Sequence, residues 1–188
     1  MFKKIHDDYA LVEDYTRVTE VLYPFSGLAD IDAAVVNNAA NRGTRVHEIC
    51  ESIVKGFGAW NLDDDVKGYV ESFEHWYKDI DVVCIEERFY CKDLMITGKV
   101  DLIIKTNAGN VILDLKTSYR PSKTWALQGS AYAYLANNAG YDIKGIQFLH
   151  LKKDGSKPKI FEYENQFEMY KKCLDVYRYF YEKKKTKK

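Results

Sequence analysis

The stretch GKVDLIIKTNAGNVILDLKTS, residues 98–118, decides how the rest of the chain is read. Two runs rich in Val, Ile and Leu flank Asn107-Ala108-Gly109-Asn110, a turn signal, and together they predict a β-hairpin. Side chains two apart on a strand share a face. In the second run Val111, Leu113 and Leu115 point one way, and Ile112, Asp114 and Lys116 the other. In the first, Val100, Leu102 and Ile104 form the apolar face, leaving Asp101 opposite with Ile103 and Lys105. A hairpin in register then collects Asp101, Asp114 and Lys116 on one side of the sheet.

Two converging carboxylates repel each other, which raises a pKa or calls for a cation, and a hard divalent ion with oxygen ligands relieves the repulsion. Mg²⁺ is the natural candidate. An ion so held lowers the pKa of bound water and stabilises charge on a phosphate, while a neighbouring lysine orients the water or neutralises an oxyanion. Phosphodiester hydrolysis is the chemistry this set suits. An exposed hairpin face carrying Asp and Lys is also commonplace, so the hairpin alone leaves a solvated surface open as a reading.

Outward from the hairpin, the period alternates between strand and helix. Val82 to Tyr90 reads as a preceding strand, with the hairpin strands at Met95 to Lys105 and Asn110 to Thr117. A helix from about Lys123 to Asn137 follows, then strands Gly145 to Lys152 and Ile160 to Tyr163 joined through Asp154-Gly155, then a helix from about Gln166 to Glu182. On the N-terminal side, Thr16 is expected to cap a short helix carrying Val18 and Leu22, and the Pro24 to Gly27 turn leads to a helix from about Asp32 that Gly43 breaks. Thr44 then caps a further helix with Val46, Ile49, Cys50, Ile53, Val54 and Phe57 on one stripe, His47 and Glu51 at its edge. Val66 to Lys78 is the last of this helical group. The expected architecture is an α/β or α+β domain with a mixed central sheet flanked by helices.

Composition sets the limits. The chain has 188 residues, 46% of them apolar, with three prolines and no Gly/Ser-rich linker, which fits one domain over residues 1–188. Within it, 1–80 is a helical section, 81–163 a sheet with its helix, and 164–188 a C-terminal helix with a basic tail. No run of 18 apolar residues occurs, and the opening MFKKIHDDYALVEDY lacks a signal-peptide core, so a cytoplasmic protein with no membrane partner is expected. Cys50, Cys84, Cys91 and Cys173 form no CxxC pair and are expected to be reduced thiols packed as small hydrophobes. Residues 151–188 carry 12 Lys/Arg against 6 Asp/Glu, a basic flank able to meet phosphate beside an acidic body. The lysines from Lys183 to Lys188 read as a solvated tail.

The segment IEERFYCKDLMITGKVDLIIKTNAGNVILDLKTS, preceded by NRGTRVHEICESI and followed by LQGSAYAYL, resembles the PD-(D/E)XK nuclease superfamily over about residues 16–151. Within it, the likeness is to the RecB-like exonuclease branch, the group that includes the mitochondrial genome maintenance exonuclease and phage exonucleases. The resemblance implies a restriction-endonuclease-like core. It also implies that Asp101 of GKVD and Asp114 of DLK ligate a metal, helped by the Leu115 carbonyl, and that Lys116 positions or activates water. His47 would be an additional metal ligand. Gln128 and Tyr132 match a Q-x-x-x-Y helix, placed on one face toward the DNA and the catalytic strand. Glu87 lies on a strand where related sequences often carry Glu, with metal, substrate and structural roles all open.

Arg45, Arg120 and Lys123 flank this set and are expected to touch phosphate. Glu51 reads as an ordinary interfacial helix residue, Glu86, Arg88, Lys99 and Lys105 as solvated strand residues, and Trp125 and Tyr134 as core or sheet-covering aromatics that could instead stack on bases. The leading Pro of the superfamily's name is absent, Val100 standing before Asp101. With only Cys173 late in the chain, no iron-sulfur cluster is expected. The implied activity is a metal-dependent DNA exonuclease preferring single-stranded ends, working with a separate annealing, replication or motor protein. An endonuclease, or an inactive module that binds DNA or protein, shares the same core.

Overall fold

A computed structural model describes residues 15–181 of the chain. Along it run β1 (Thr16–Arg17), α1 (Val18–Leu22), α2 (Ala33–Val54), α3 (Lys67–Tyr77), β2 (Asp81–Cys91), β3 (Ile96–Thr106), β4 (Gly109–Lys116), α4 (Thr124–Asn138), β5 (Ile143–His150), β6 (Lys159–Tyr163) and α5 (Phe167–Tyr181). The six strands form one mixed sheet in the order β1-β3-β4-β5-β6, with β2 also paired to β3. The β2–β3, β3–β4 and β5–β6 pairs are antiparallel, and β1–β3 and β4–β5 are parallel. Since β4 and β5 are parallel neighbours, the chain between them must cross over a face of the sheet, and α4 is that crossover. The mixed sheet flanked by helices is the architecture the alternation predicts. The N-terminal opening and the lysines from Lys183 to Lys188, expected to lack a signal-peptide core and to form a solvated tail, lie outside the described residues.

Each face of the sheet has its own apolar core. On one, Val18, Val21 and Leu22 of α1, Trp125, Leu127, Ala131 and Leu135 of α4, and Tyr170 and Leu174 of α5 pack against Ile103, Ile112, Ile146 and Phe148. On the other, Val46, Ile49 and Cys50 of α2 and Tyr69, Val70 and Phe73 of α3 cover Leu102, Ile104, Leu113, Leu115 and Leu149. The hairpin turn is the two-residue loop Asn107-Ala108, with Thr106 paired to Gly109 and Gly109 at φ +118°, a value that favours glycine. Cys50, Cys84 and Cys91 are buried free thiols, and Cys173 is half-buried. Among the described residues no helix is long and apolar enough to cross a membrane.

Several expectations fail locally. Gly43 does not break a helix, and Thr44 caps nothing: α2 runs unbroken from Ala33 to Val54, capped by the Asp32 side chain, which accepts from the Ala34 and Val35 N–H groups. A single interior glycine costs about 1 kcal/mol, which a long capped helix with a packed face absorbs. Phe57 leaves the stripe, 81% exposed, because the helix ends before it. Thr16 sits in β1, and Arg17 precedes α1 without a side-chain cap. The alternation in β3 also fails once: Val100 packs in the core under α4, whereas Leu102 and Ile104 pack under α2 and α3.

Gly129 lets α4 lie directly on β5. A Cβ there would fall 2.3 Å from Ile146 Cγ2 and 2.9 Å from the Phe148 ring. Gly129→Ala is therefore expected to destabilise the protein by about 1–3 kcal/mol in urea unfolding, through overpacking. A midpoint that stays put or rises, as the helix propensity of alanine alone would dictate, would contradict this packing.

Candidate active site

The site begins where β3 and β4 part. Their pairing runs from Thr106↔Gly109 to Leu102↔Leu113 and stops there. One residue further, the Asp101 side chain takes over from the backbone: its Oδ2 accepts from the Leu115 N–H at 2.7 Å. The phase break that separates Val100 from Leu102 falls on Asp101, and β2 answers it opposite. Cys84 pairs with Ile103 and Glu87 with Val100, and both sit on the α4 side, although they are three positions apart on the strand. Glu86, at φ +51°, takes up the difference in the left-handed region that non-glycine residues enter only at a cost. Both strands thus bend at one level, and their two carboxylates leave the alternating pattern there.

The α2 side of this bend holds His47. Its Nδ1 lies 3.3 Å from Asp101 Oδ1, and its Nε2 lies 3.0 Å from the Leu115 carbonyl oxygen. Glu86 completes the group: ligand atoms of His47, Glu86 and Asp101 all lie within 4.8 Å of one another. A cavity of about 10 Å³, room for roughly one water-sized sphere, is lined here by these three with Cys50, Glu51 and Leu115 among others. Glu86 is therefore not the solvated strand residue that alternation suggests; its side chain is 12% exposed and ion-paired to Lys99. The signal that could have found it is the pair Glu86-Glu87, whose members cannot both face the same way on a regular strand.

The α4 side holds the other carboxylate. Asp114 is 2% exposed. Its Oδ1 accepts from Gln128 Nε2 at 2.9 Å, and its Oδ2 lies 2.6 Å from Lys116 Nζ with no hydrogen bond of proper geometry. Gln128 Oε1 in turn accepts from Lys116 Nζ at 3.2 Å, so one amide bridges the carboxylate and the amine. Gln128 Nε2 also reaches the Tyr132 hydroxyl at 3.2 Å. Gly98 makes room for this tyrosine: a Cβ there would fall 2.6 Å from the ring. Gln128 and Tyr132 are both buried, with Gln128 turned onto Asp114 and Lys116 of β4 and Tyr132 behind it.

Electrostatics separate the two sides. Burial disfavours charge on His47, but the Asp101 carboxylate overrides it by attraction and hydrogen bonding, and the imidazole pKa is raised to about 9. Burial likewise opposes charge on Asp101, yet His47, Lys116 and the Leu115 N–H hold its pKa below the usual carboxylate range. Asp114 goes the other way, to about 6, because burial and the Asp101 charge outweigh Lys116.

The remaining candidates spread out. Glu87 turns to the α4 side, where its Oε2 accepts from the Tyr141 hydroxyl at 2.8 Å and lies 3.1 Å from Cys84 Sγ. It does not join His47 and Asp101; Glu86 does. Arg45 on α2 is ion-paired to Asp63 at 2.6 Å. Arg120 lies in the loop between β4 and α4, its guanidinium 5.9 Å from the Tyr119 ring, and Lys123 stands at the N-cap of α4. Trp125 is a core residue stacked on Phe148, and Tyr134 stacks on Phe167.

The donor set suits a hard divalent cation. His47 Nε2 and the Leu115 carbonyl oxygen lie 3.0 Å apart, so an imidazole and a carbonyl that would hold the ion stand side by side at the fork. Asp114 Oδ2 is a buried carboxylate oxygen whose charged neighbour is the Lys116 amine at 2.6 Å. Carboxylates and a carbonyl select Mg²⁺ or Mn²⁺, and the imidazole is compatible with Mn²⁺.

No curated protein matches this sequence significantly. A solved structure from Eubacterium rectale, described as a "Putative exonuclease", superposes with a TM-score of 0.54 at 11% identity, covering 94% of this chain and 82% of that one. That likeness is one of fold. Residues 43–175 match the family model of the PD-(D/E)XK nuclease superfamily, a span that begins just before His47 and contains Asp101, Asp114, Lys116 and Gln128. More than half of the chain is covered by that match, and the chain belongs to the PD-(D/E)XK nuclease superfamily.

Proposed function

We propose that this chain is a metal-dependent DNA exonuclease of the RecB-like branch, acting as one nuclease domain on single-stranded ends. Its setting is DNA replication, recombination or repair in the cytoplasm of a bacterial or phage-infected cell, beside a separate annealing, replication or motor protein. Membership of a nuclease superfamily, whose members typically use a divalent metal, implies a DNA substrate. The observation that carries the reading is the Asp114–Lys116–Gln128 bridge standing beside Asp101 at the strand fork.

In this mechanism Asp101, Asp114, the Leu115 carbonyl and His47 hold Mg²⁺ or Mn²⁺, with Glu86 as a further carboxylate on the His47 side. The bound ion supplies Lewis-acid stabilisation of the phosphate and a lowered pKa for the attacking water. Lys116 orients that water and offsets charge on the phosphate oxygens, and Gln128 keeps the amine beside Asp114. Tyr132 fixes Gln128. Phosphodiester hydrolysis then leaves a 5′-phosphate.

Asp114→Asn and Lys116→Ala are each expected to lower cleavage of linear single-stranded DNA in Mg²⁺ by about 10²- to 10⁴-fold, with unchanged far-UV circular dichroism. Wild-type rates in either variant would remove the mechanism. Circular single-stranded DNA should survive conditions that consume the linear form; its cleavage would assign an endonuclease instead.

The His47 pKa gives a pH signature with a definite sign. Raised from 6.5 to about 9, it stabilises the metal-free protein in full below about pH 6.5, by up to about 3 kcal/mol, and this is lost as pH rises through about 9. An ion that ligates His47 must displace that proton. Mn²⁺ affinity measured by calorimetry should therefore tighten between about pH 6.5 and 8.5, approaching tenfold per unit, with close to one proton released. His47→Ala should flatten the profile, and a pH-independent wild-type affinity would exclude His47 as a ligand.

A further inference from the structure

Beyond Lys116, the sheet continues a row that the proposed mechanism leaves unused. The parallel register pairs Lys116 with His150, and the antiparallel register pairs His150 with Lys159, so three adjacent strands present Lys116, His150 and Lys159 side by side. The preceding row is Asp114, Phe148 and Phe161. Phe148 and Phe161 both pack on Trp125, which fixes the row's orientation toward α4. Lys116 Nζ stands 5.3 Å from the centre of the Phe148 ring, and Lys159 Nζ 4.7 Å from that of Phe161. Each amine is thus laid over an aromatic floor on either side of the imidazole.

His150 organises the cations around it. Its Nε2 lies 2.6 Å from the Ser118 carbonyl oxygen, and its Nδ1 lies 3.3 Å from Lys152 Nζ. Burial, together with Lys152 and Lys159, lowers its pKa, which keeps the ring neutral. A neutral ring donates from Nε2 to Ser118 and accepts at Nδ1 from Lys152. The imidazole therefore ties the loop that follows Lys116 to a lysine on the next strand's exit.

Neither Lys152 nor Lys159 forms an ion pair with a carboxylate among the described residues. The segment from Lys152 to Lys159 holds four lysines against Asp154, whose Oδ1 already accepts from the Ser156 N–H and hydroxyl. Strands lie about 4.8 Å apart, so this cationic row extends about 10 Å from Lys116 to Lys159. Lys152 and Lys159, two amines beside His150 without a carboxylate ion pair and adjoining a lysine assigned to the scissile phosphate, call for an anion that is extended and repeating.

We infer that Lys152 and Lys159, aligned by His150, form a phosphate track that holds the nucleic-acid backbone next to the phosphate being cleaved. This rests on the nuclease reading above and adds to it where the strand runs: from the Asp101–Asp114 fork across β5 to β6. The contacts are to backbone phosphates, so they position the strand without reading its sequence.

The test compares Lys152→Ala/Lys159→Ala with Lys144→Ala/Lys171→Ala, which removes the same charge from two lysines ion-paired elsewhere, to Asp142 and Glu168. A fluorescently labelled single-stranded oligonucleotide is titrated in chelator over a range of salt, and cleavage kinetics are measured in Mg²⁺. For the track variant, the slope of log affinity against log salt should fall by about 1.4, two single-strand contacts at about 0.7 each. KM should rise about tenfold with kcat within about twofold. The control variant should keep the wild-type slope and KM. A track variant equal to wild type or to the control, while wild type binds and cleaves, would overturn the track and leave the nuclease reading intact. A wild type that neither binds nor cleaves would overturn the nuclease reading and the track with it.

Discussion

A carboxylate standing in for a backbone acceptor is the constraint on which the site depends. At Asp101 the β3–β4 ladder has ended, and the side chain instead receives the Leu115 N–H. This one bond keeps the strands from fraying at the fork and turns the Leu115 carbonyl toward His47. It also sets Asp101 near enough to Asp114 for each carboxylate to feel the other's charge. A buried carboxylate beside another is costly without a cation. The fold meets that cost from two sides, with His47 on α2 and with Lys116 and Gln128 on the α4 side.

The two apolar cores explain how such a polar group is held rigid. α2 and α3 clamp one face of the hairpin and α4 the other, so His47 and Gln128 approach the fork from opposite faces on well-packed helices. Small residues permit the close approaches: Gly98 admits the Tyr132 ring, and Gly129 admits β5. Function and packing share these positions. The Tyr132 hydroxyl accepts from the Gln128 amide, which in turn accepts from the Lys116 amine.

Much of this was legible from residue order. The alternation in β4 assigns Val111, Leu113 and Leu115 to one face and Asp114 with Lys116 to the other, as found, because β4 is a regular central strand. The same rule misplaces Val100 and overlooks Glu86, because β2 and β3 both break phase at the site. A local period cannot encode a change of facing that Glu86 takes up in the left-handed region beside His47 of α2. Gly43 misled for a related reason: helix propensity is a weak prior, overridden by the Asp32 cap and the buried face of α2. Nor could one-dimensional spacing show the Lys116–His150–Lys159 row, which exists only once three strands are in register.

Location of the ion tests the central claim most directly. Crystals equilibrated with Mn²⁺ and measured at the manganese absorption edge should give an anomalous peak within coordination distance of Asp101, Asp114 and the Leu115 carbonyl. A peak confined to another acidic region, such as the groove lined by Glu71, Glu74, His75 and Asp79, with none at the fork, would contradict the account.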